Sequence, residues 1–136
     1  MCSSDLAGTF SRIKRTVKTL QKSGIDVSLF VDPVRSQILK AKDTGAEAVE
    51  IHTGAFDRAS TKKAREREFK RIKDAVQYSQ RLGFFVAVGH GLKYHNTRRI
   101  AKIKGVQELN IGHSIVAQAV FVGLAKAVRE MKRLVT

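Results

Sequence analysis

Hydrophobic residues along the chain follow two different periods. Four short apolar runs, at residues 27–31, 48–52, 84–88 and 108–111, have the length and composition of β-strands. The first and third runs are nearly continuous and rich in Val and Phe, which is typical of strands covered on both faces of a parallel sheet. The second and fourth carry a polar residue inside the run, so the pattern defines their ends less sharply.

Between these runs, apolar residues recur at steps of three and four, which predicts amphipathic helices. One helix precedes the first strand, a long helix spans residues 61–82, and a single last helix runs from about residue 115 to residue 131. A short helix follows Pro33, a residue well suited to a first helical turn. Asn96 is placed to cap another short helix that runs towards Lys102.

Each helical segment that leads into a strand ends at a glycine. These are Gly24, Gly45, Gly83 and Gly105, where a helix would close with a left-handed residue. The order is therefore one helix and then four strand–helix units, and right-handed crossovers make the strands parallel. The predicted fold class is α/β, with four (βα) units forming half of an eightfold barrel or a small open sheet. Residues 7–136 are interpreted as one domain, and residues 1–6 as a ragged or non-native start.

Composition narrows the class of protein. With 136 residues, 43% of them hydrophobic, and a single Pro, the chain is globular. No apolar run is long enough to span a bilayer, and the first ten residues lack the pattern of a secretory signal. Cys2 is the only cysteine, so no internal disulfide forms and a reducing cytoplasm is the expected compartment.

The net charge of +14 favours a phosphorylated ligand or a nucleic acid as partner. The basic residues are spread over several predicted helices and are interleaved with acidic ones, which is typical of solvated outer faces. A functional polyanion-binding surface remains the alternative.

Candidate catalytic side chains lie where the second and third strands end, because reactive groups of a parallel barrel sit at the carboxyl ends of its strands. Glu50 lies within an apolar strand and should point into the barrel, either as a structural ion-pair member or as a group that stabilises an intermediate. His90 lies between two glycines and can act as an acid or base near neutral pH. His52 either belongs to the same cluster or points outside the strand as a structural residue.

The fourth strand leads into the last helix through Gly112, His113 and Ser114. A helix N-terminus offers free N–H groups and partial positive charge, so it binds phosphate, and Gly91 with Gly112 would allow close backbone approach. An ordinary polar-capped turn is the alternative. The spacing of His90 and His95 matches no zinc motif, so no metal is expected.

Four blocks of sequence, taken in order, resemble the C-terminal half of pyridoxine 5'-phosphate synthase from about residue 11 to residue 134. They are VSLFVD at 27–32, EIHTG at 50–54, GHGLKYHN at 89–96 and ELNIGHSI at 108–115. The resemblance implies a TIM-barrel transferase of vitamin B6 biosynthesis, which condenses 1-deoxy-D-xylulose 5-phosphate with 3-amino-2-oxopropyl phosphate. Phosphate and water leave as the pyridine ring closes.

The resemblance also implies roles for individual residues. His90 is the implied proton donor and Glu50 the implied stabiliser of the transition state. Gly91, Gly112 and His113 are implied to bind the phosphate of the aminoketone. No metal or organic cofactor is implied.

The part of the family's barrel that the chain resembles is the C-terminal half. The other half carries the family's other catalytic bases and most contacts to the deoxyxylulose phosphate. The isolated chain is therefore expected to be an inactive fragment, with a missing N-terminal half as one partner and a homo-oligomer as the state of the full-length family. Two alternatives stay open. One is a basic nucleic-acid-binding domain, which the absence of a recognised motif makes unlikely; the other is a non-catalytic half-barrel that assembles with a partner chain.

Overall fold

The computed structural model describes residues 6–136, and the side chains from residue 9 onwards. The predicted ragged start therefore lies almost wholly outside the described residues. The elements in chain order are α1 (Leu6–Lys22), β1 (Ser28–Val31), α2 (Arg35–Thr44), β2 (Ala48–His52), α3 (Gly54–Arg58), α4 (Lys62–Arg81), β3 (Phe85–Gly89), α5 (Thr97–Ala101), β4 (Glu108–Asn110), α6 (His113–Val122) and α7 (Leu124–Val135).

The four strands form one parallel sheet in the order β1-β2-β3-β4. Each strand pairs with the next along the chain, which requires the helical crossovers that the sequence pattern predicts. In this register Phe30 lies opposite Glu50, and Glu50 lies opposite Ala87. The predicted α/β fold of four (βα) units, half of a barrel, is confirmed.

The core lies between the sheet and its helices. Side chains that point to the helix side of β2 and β3 are completely buried, among them Val49, Ile51, Val86 and Val88. The other face of the sheet is only partly covered, since Phe30 and Phe85 are 36% and 42% exposed. The apolar runs of the first and third strands predict that both faces of these strands are covered. In the described part of the chain, one of the two faces is covered only in part.

The predicted helix-closing glycines are confirmed at three of the four positions, since Gly24, Gly45 and Gly83 lie within two residues of a helix end. Gly105 does not close α5, which ends four residues earlier. All four have positive φ angles, between 72° and 111°. At Gly45, the C-cap of α2, the backbone is left-handed and its N–H donates to the carbonyl of Lys42. A residue with a Cβ would be strained there, so the chain turns from helix to strand at a position that favours glycine.

Two expectations about the helices are wrong, and one short helix was not predicted. The single last helix is two, because Gly123 (φ 81°, ψ 148°) leaves the helical region and separates α6 from α7. The side chain of Asn96 does not cap α5, since it bonds to the preceding loop instead. The short helix α3 follows β2 directly, and its five residues are too few to show a helical period.

Charged residues on the outer helices pair locally. Glu68 of α4 receives hydrogen bonds from Arg67 (3.1 Å) and Arg71 (2.7 Å). Arg99 binds Glu66 through both carboxylate oxygens, each at 2.6 Å, and these bonds lower the pKa of Glu66. The Arg99–Glu66 pair fits the interpretation of solvated outer faces, whereas the Glu68 side chain is buried. Within residues 6–136, no helix is both long and apolar enough to cross a membrane.

Ile38 and Leu39 of α2 provide a matched test of the core. Ile38 is fully buried in the main hydrophobic cluster, whereas Leu39 is 46% exposed. We expect Ile38→Ala to lower the free energy of unfolding by roughly 2–5 kcal/mol, because it leaves a cavity. Leu39→Ala should cost under about 1 kcal/mol, as for other surface substitutions. Urea denaturation measures both, and equal losses would contradict this assignment of the buried face.

Candidate active site

A cavity of about 990 Å³ lies at the carboxyl ends of the strands. All five predicted site residues line it: Glu50, His90, Gly91, Gly112 and His113. They come from the ends of β2, β3 and β4, and the parallel sheet brings these ends to one edge. His95 and Lys93 line the same cavity, so its wall contains several groups that attract anions.

Glu50 points to the open face of the sheet, as its place in the strand predicts. Its Oε2 accepts a hydrogen bond of 2.8 Å from the side-chain amide of Asn110 on β4. An amide, and not a cation, is thus its partner among the described residues. Gly89 of β3 lies beside the carboxylate, and a Cβ at this position would overlap Glu50. Gly89 therefore makes room for the Glu50 side chain.

The backbone of His90 is held in the left-handed region, with φ of 66°. Such a conformation is uncommon for a residue with a side chain, and it persists only where neighbours fix it. Thr53, which follows β2, fixes this backbone conformation. Its hydroxyl lies 3.0 Å from the carbonyl oxygen of Gly89 and 2.7 Å from that of His90, and its N–H donates to Gly89. Thr53 is buried, and the sequence pattern did not identify it.

His52 is not part of the cavity wall. It lies next to it, with its ring centroid 4.8 Å from that of His90 and 5.2 Å from that of Phe30. Its Nδ1 is 3.0 Å from a carboxylate oxygen of Asp32. The outward-pointing alternative for His52 is therefore wrong, because β2 places it on the same face as Glu50.

Gly112 and His113 form the start of α6, a helix of ten residues. The first N–H groups of a helix have no intrahelical acceptor, so they are available to an anion in the cavity. Ser114 donates to the carbonyl of Leu92 at 2.8 Å and so connects this helix start to the loop after β3. A Cβ at Gly112 would meet nothing within 4 Å, so packing in the described structure does not require glycine there.

The loop after β3 is fixed by a polar network centred on Asp57 of α3. One Asp57 oxygen lies 2.9 Å from the ammonium of Lys93, and the other accepts from Asn96 at 3.2 Å. Asn96 also accepts from the N–H of Lys93 and donates to the carbonyl of Gly91. Gly91 itself has a φ of 86° and packs closely on Gly54 and Asp57. The network thus keeps Gly91 at the cavity.

Tyr94 ties the same loop to the end of the chain. Its hydroxyl donates to the carbonyl of Ala127 in α7 at 2.8 Å. Burial raises the pKa of this phenol, and the nearby carboxylate of Glu130 raises it further, so Tyr94 keeps its proton for this bond.

Within the described residues, no three His, Cys, Asp or Glu side chains are placed to hold a metal ion together. The chemistry that the site can support from its own groups is proton transfer by histidine, charge stabilisation by a carboxylate and phosphate binding at a helix start. A half-barrel with such a cavity at the carboxyl edge of its strands belongs to the class of (βα)-barrel proteins.

The chain belongs to the family of the pyridoxal phosphate biosynthesis protein PdxJ, whose family model matches residues 3–136. It is 49% identical over 130 residues to a pyridoxine 5'-phosphate synthase of Pseudoalteromonas translucida, covering 96% of this chain and 54% of that protein. It is 48% identical to one of Coxiella burnetii over 131 residues, covering 96% of this chain and 55% of that protein. The resemblance seen in the four sequence blocks is confirmed.

The chain spans about half the length of the curated relatives it matches. The fold has a counterpart in the crystal structure of the Amycolatopsis orientalis BexX/CysO complex, with a TM-score of 0.56 and 16% identity. That alignment covers 92% of this chain and 52% of the other. Sequence and structure comparisons thus agree that these residues match about half of a longer fold.

A double-mutant cycle tests the role of Gly89. We expect Gly89→Ala to lower the free energy of unfolding by roughly 1–3 kcal/mol, because the new methyl group overlaps the Glu50 carboxylate. In a Glu50→Ala background the cost should fall to less than half, since the overlapping group is gone. Chemical denaturation of the four proteins measures the coupling. Equal costs in both backgrounds would show that Gly89 serves another purpose.

Proposed function

We propose that this chain supplies the C-terminal half of a pyridoxine 5'-phosphate synthase, which joins 1-deoxy-D-xylulose 5-phosphate to 3-amino-2-oxopropyl phosphate. The observation that carries the proposal is the convergence of five residues, from three different strand ends, on one cavity. Two curated relatives that are 49% and 48% identical to this chain, over 130 and 131 residues, bear that name. We assign the aminoketone phosphate to this half of the active site.

The start of α6 is the proposed phosphate site. Gly112 and His113 line the cavity and begin a helix, so the backbone N–H groups and the helix dipole favour a dianion there. Gly91 approaches the cavity from the loop after β3 and offers a second stretch of backbone without a side chain. Phosphate binding at this end leaves the amine and ketone of the substrate to extend towards β2 and β3.

The proposed chemical groups lie at that other end. His90 donates a proton to a leaving oxygen as the ring closes, a role suited to an imidazole at neutral pH. Glu50, held by the amide of Asn110, stabilises positive charge that develops at the nitrogen during condensation. A fixed carboxylate performs this role without the cost of reorganising solvent.

The remaining parts of the proposal concern partners and compartment. Within the described residues β1 and β4 each have one unpaired edge, and an open parallel sheet readily accepts further strands. We assign these edges to an N-terminal half of the barrel and expect the 136 residues alone to be inactive. A homo-oligomer of the assembled enzyme in the cytoplasm completes the proposal.

The first experiment mixes the chain with a separately expressed N-terminal half of the Pseudoalteromonas translucida relative. Supplied with both phosphate substrates, the mixture should form pyridoxine 5'-phosphate, and the chain alone should not. His90→Ala should reduce the rate by at least about 100-fold, because the proton donor is lost. Lys18→Ala, on the exposed side of α1, serves as the matched control and should leave the rate unchanged.

An inactive mixture could mean that the two halves associate weakly or that they do not catalyse the reaction. A covalent fusion of the two halves distinguishes these explanations. If the fusion folds and forms no product, the proposed reaction is wrong. Tight binding of the chain to nucleic acid that weakens steeply with salt would then favour the basic-domain alternative.

Gly112→Ala tests the phosphate site without disturbing the fold. The φ of Gly112 is −115° and its surroundings are open, so stability should change by no more than about 1 kcal/mol. The added methyl group at the helix start should weaken inorganic phosphate binding by roughly 10-fold, since a contact to the backbone is blocked. NMR titration of the chain with inorganic phosphate measures the affinity. Unchanged affinity would place the phosphate elsewhere.

A further inference from the structure

Outside the cavity wall, the side chain of His52 contacts the proposed proton donor and is itself bonded to Asp32. His52, the last residue of β2, has a side chain that is only 11% exposed. Its Nδ1 lies 3.0 Å from an oxygen of Asp32, which follows β1. Since a carboxylate only accepts hydrogen bonds, Nδ1 of His52 carries the proton. The Asp32 carboxylate therefore fixes both the tautomer and the ring plane of His52.

The other ring nitrogen of His52, Nε2, is buried and has no hydrogen-bond partner within the described residues. It lies against Gly54, where an added Cβ would come within 2.5 Å of it. Gly54 therefore packs against the Nε2 side of the His52 ring. Because a ring turned by 180° would lose the bond to Asp32, the observed orientation is the one that the surroundings select.

His52 in turn packs on the side chain of His90. The two rings meet edge to face, with centroids 4.8 Å apart and planes at 64°. Phe30 closes the cluster, with its centroid 5.2 Å from that of His52 and 6.2 Å from that of His90. Edge-to-face contacts of this kind define a preferred ring orientation.

The last residue of β2 and the residue that follows it thus hold His90 at two points. Thr53 binds the carbonyl group of His90, which fixes its strained backbone, and His52 contacts its ring. A side chain that is exposed on a loop otherwise samples several rotamers, and a small misplacement of a reacting group reduces the rate strongly. Neither Asp32 nor His52 lines the cavity formed by the described residues, so their contact with the site runs through His90.

We infer that Asp32 and His52 are positioning residues for His90: Asp32 orients His52, and the His52 ring holds the His90 imidazole in the geometry for proton transfer. This inference rests on the proposed function for its effect on catalysis. The geometric part, that Asp32 controls the His90 ring through His52, holds for the chain itself.

The key variant is Asp32→Ala, which removes the carboxylate and retains both histidines. In NMR spectra of the chain, we expect His52 to lose its single Nδ1–H tautomer and the side-chain couplings of His90 to become averaged over several rotamers. The couplings of His113, which lines the same cavity from another element, should not change. Asp32→Asn keeps an acceptor oxygen and should restore the wild-type spectrum of His90.

In the two-half enzyme, Asp32→Ala should lower kcat by roughly 10- to 100-fold and change the KM for the aminoketone phosphate by less than about 3-fold. His52→Phe, which keeps a ring against His90, should retain more activity than His52→Ala. Equal kcat and unchanged His90 couplings in folded Asp32→Ala would overturn the inference. A wild-type mixture without product, combined with His90 couplings that do respond to Asp32→Ala, would instead refute the proposed function and leave the positioning pair standing.

Discussion

The parallel pairing of β2 with β3 is the constraint on which the site depends. Its register sets Glu50 opposite Ala87 and His52 opposite Gly89, so both strands end at the same edge. Thr53 can then reach across with its hydroxyl to the carbonyls of the residues that leave β3. A shift by one residue would turn Glu50 towards the helices, where an unpaired carboxylate is costly. The buried valines of the two strands and Ile51 resist that shift, because they would be turned away from the core.

The glycines around the cavity serve different purposes, and the structure separates them. Gly89 accommodates the Glu50 carboxylate, and Gly91 has a left-handed backbone and packs against α3. Gly112 is neither crowded nor strained, so packing within the described structure does not explain a glycine there. Gly89 and Gly91, by contrast, have packing reasons within the chain.

Several large apolar side chains of the last two helices are exposed, which is unusual for a folded domain. Val120 and Phe121 of α6 are more than three-quarters exposed, and Phe121 also lines the cavity. An apolar patch of this kind marks a surface that contacts another element. Since the chain matches about half of its relatives, the exposure fits the assignment of the open sheet edges to a further part of the barrel. The rim of the cavity and the open side of the half-barrel are thus continuous.

The sequence by itself determined the fold class, the four strands to within about one residue, the glycine turns and the family, because these depend on local periodicity and contiguous motifs. It also identified five of the residues that line the cavity. Only the tertiary structure decided that Asn110 binds Glu50, that Thr53 holds His90 and that Asp32 orients His52. Each of these contacts joins residues that are 20 or more positions apart. Such pairs depend on strand register and on the face of the sheet that each side chain occupies. A local sequence pattern does not contain this information, so it cannot predict which two polar groups form a contact.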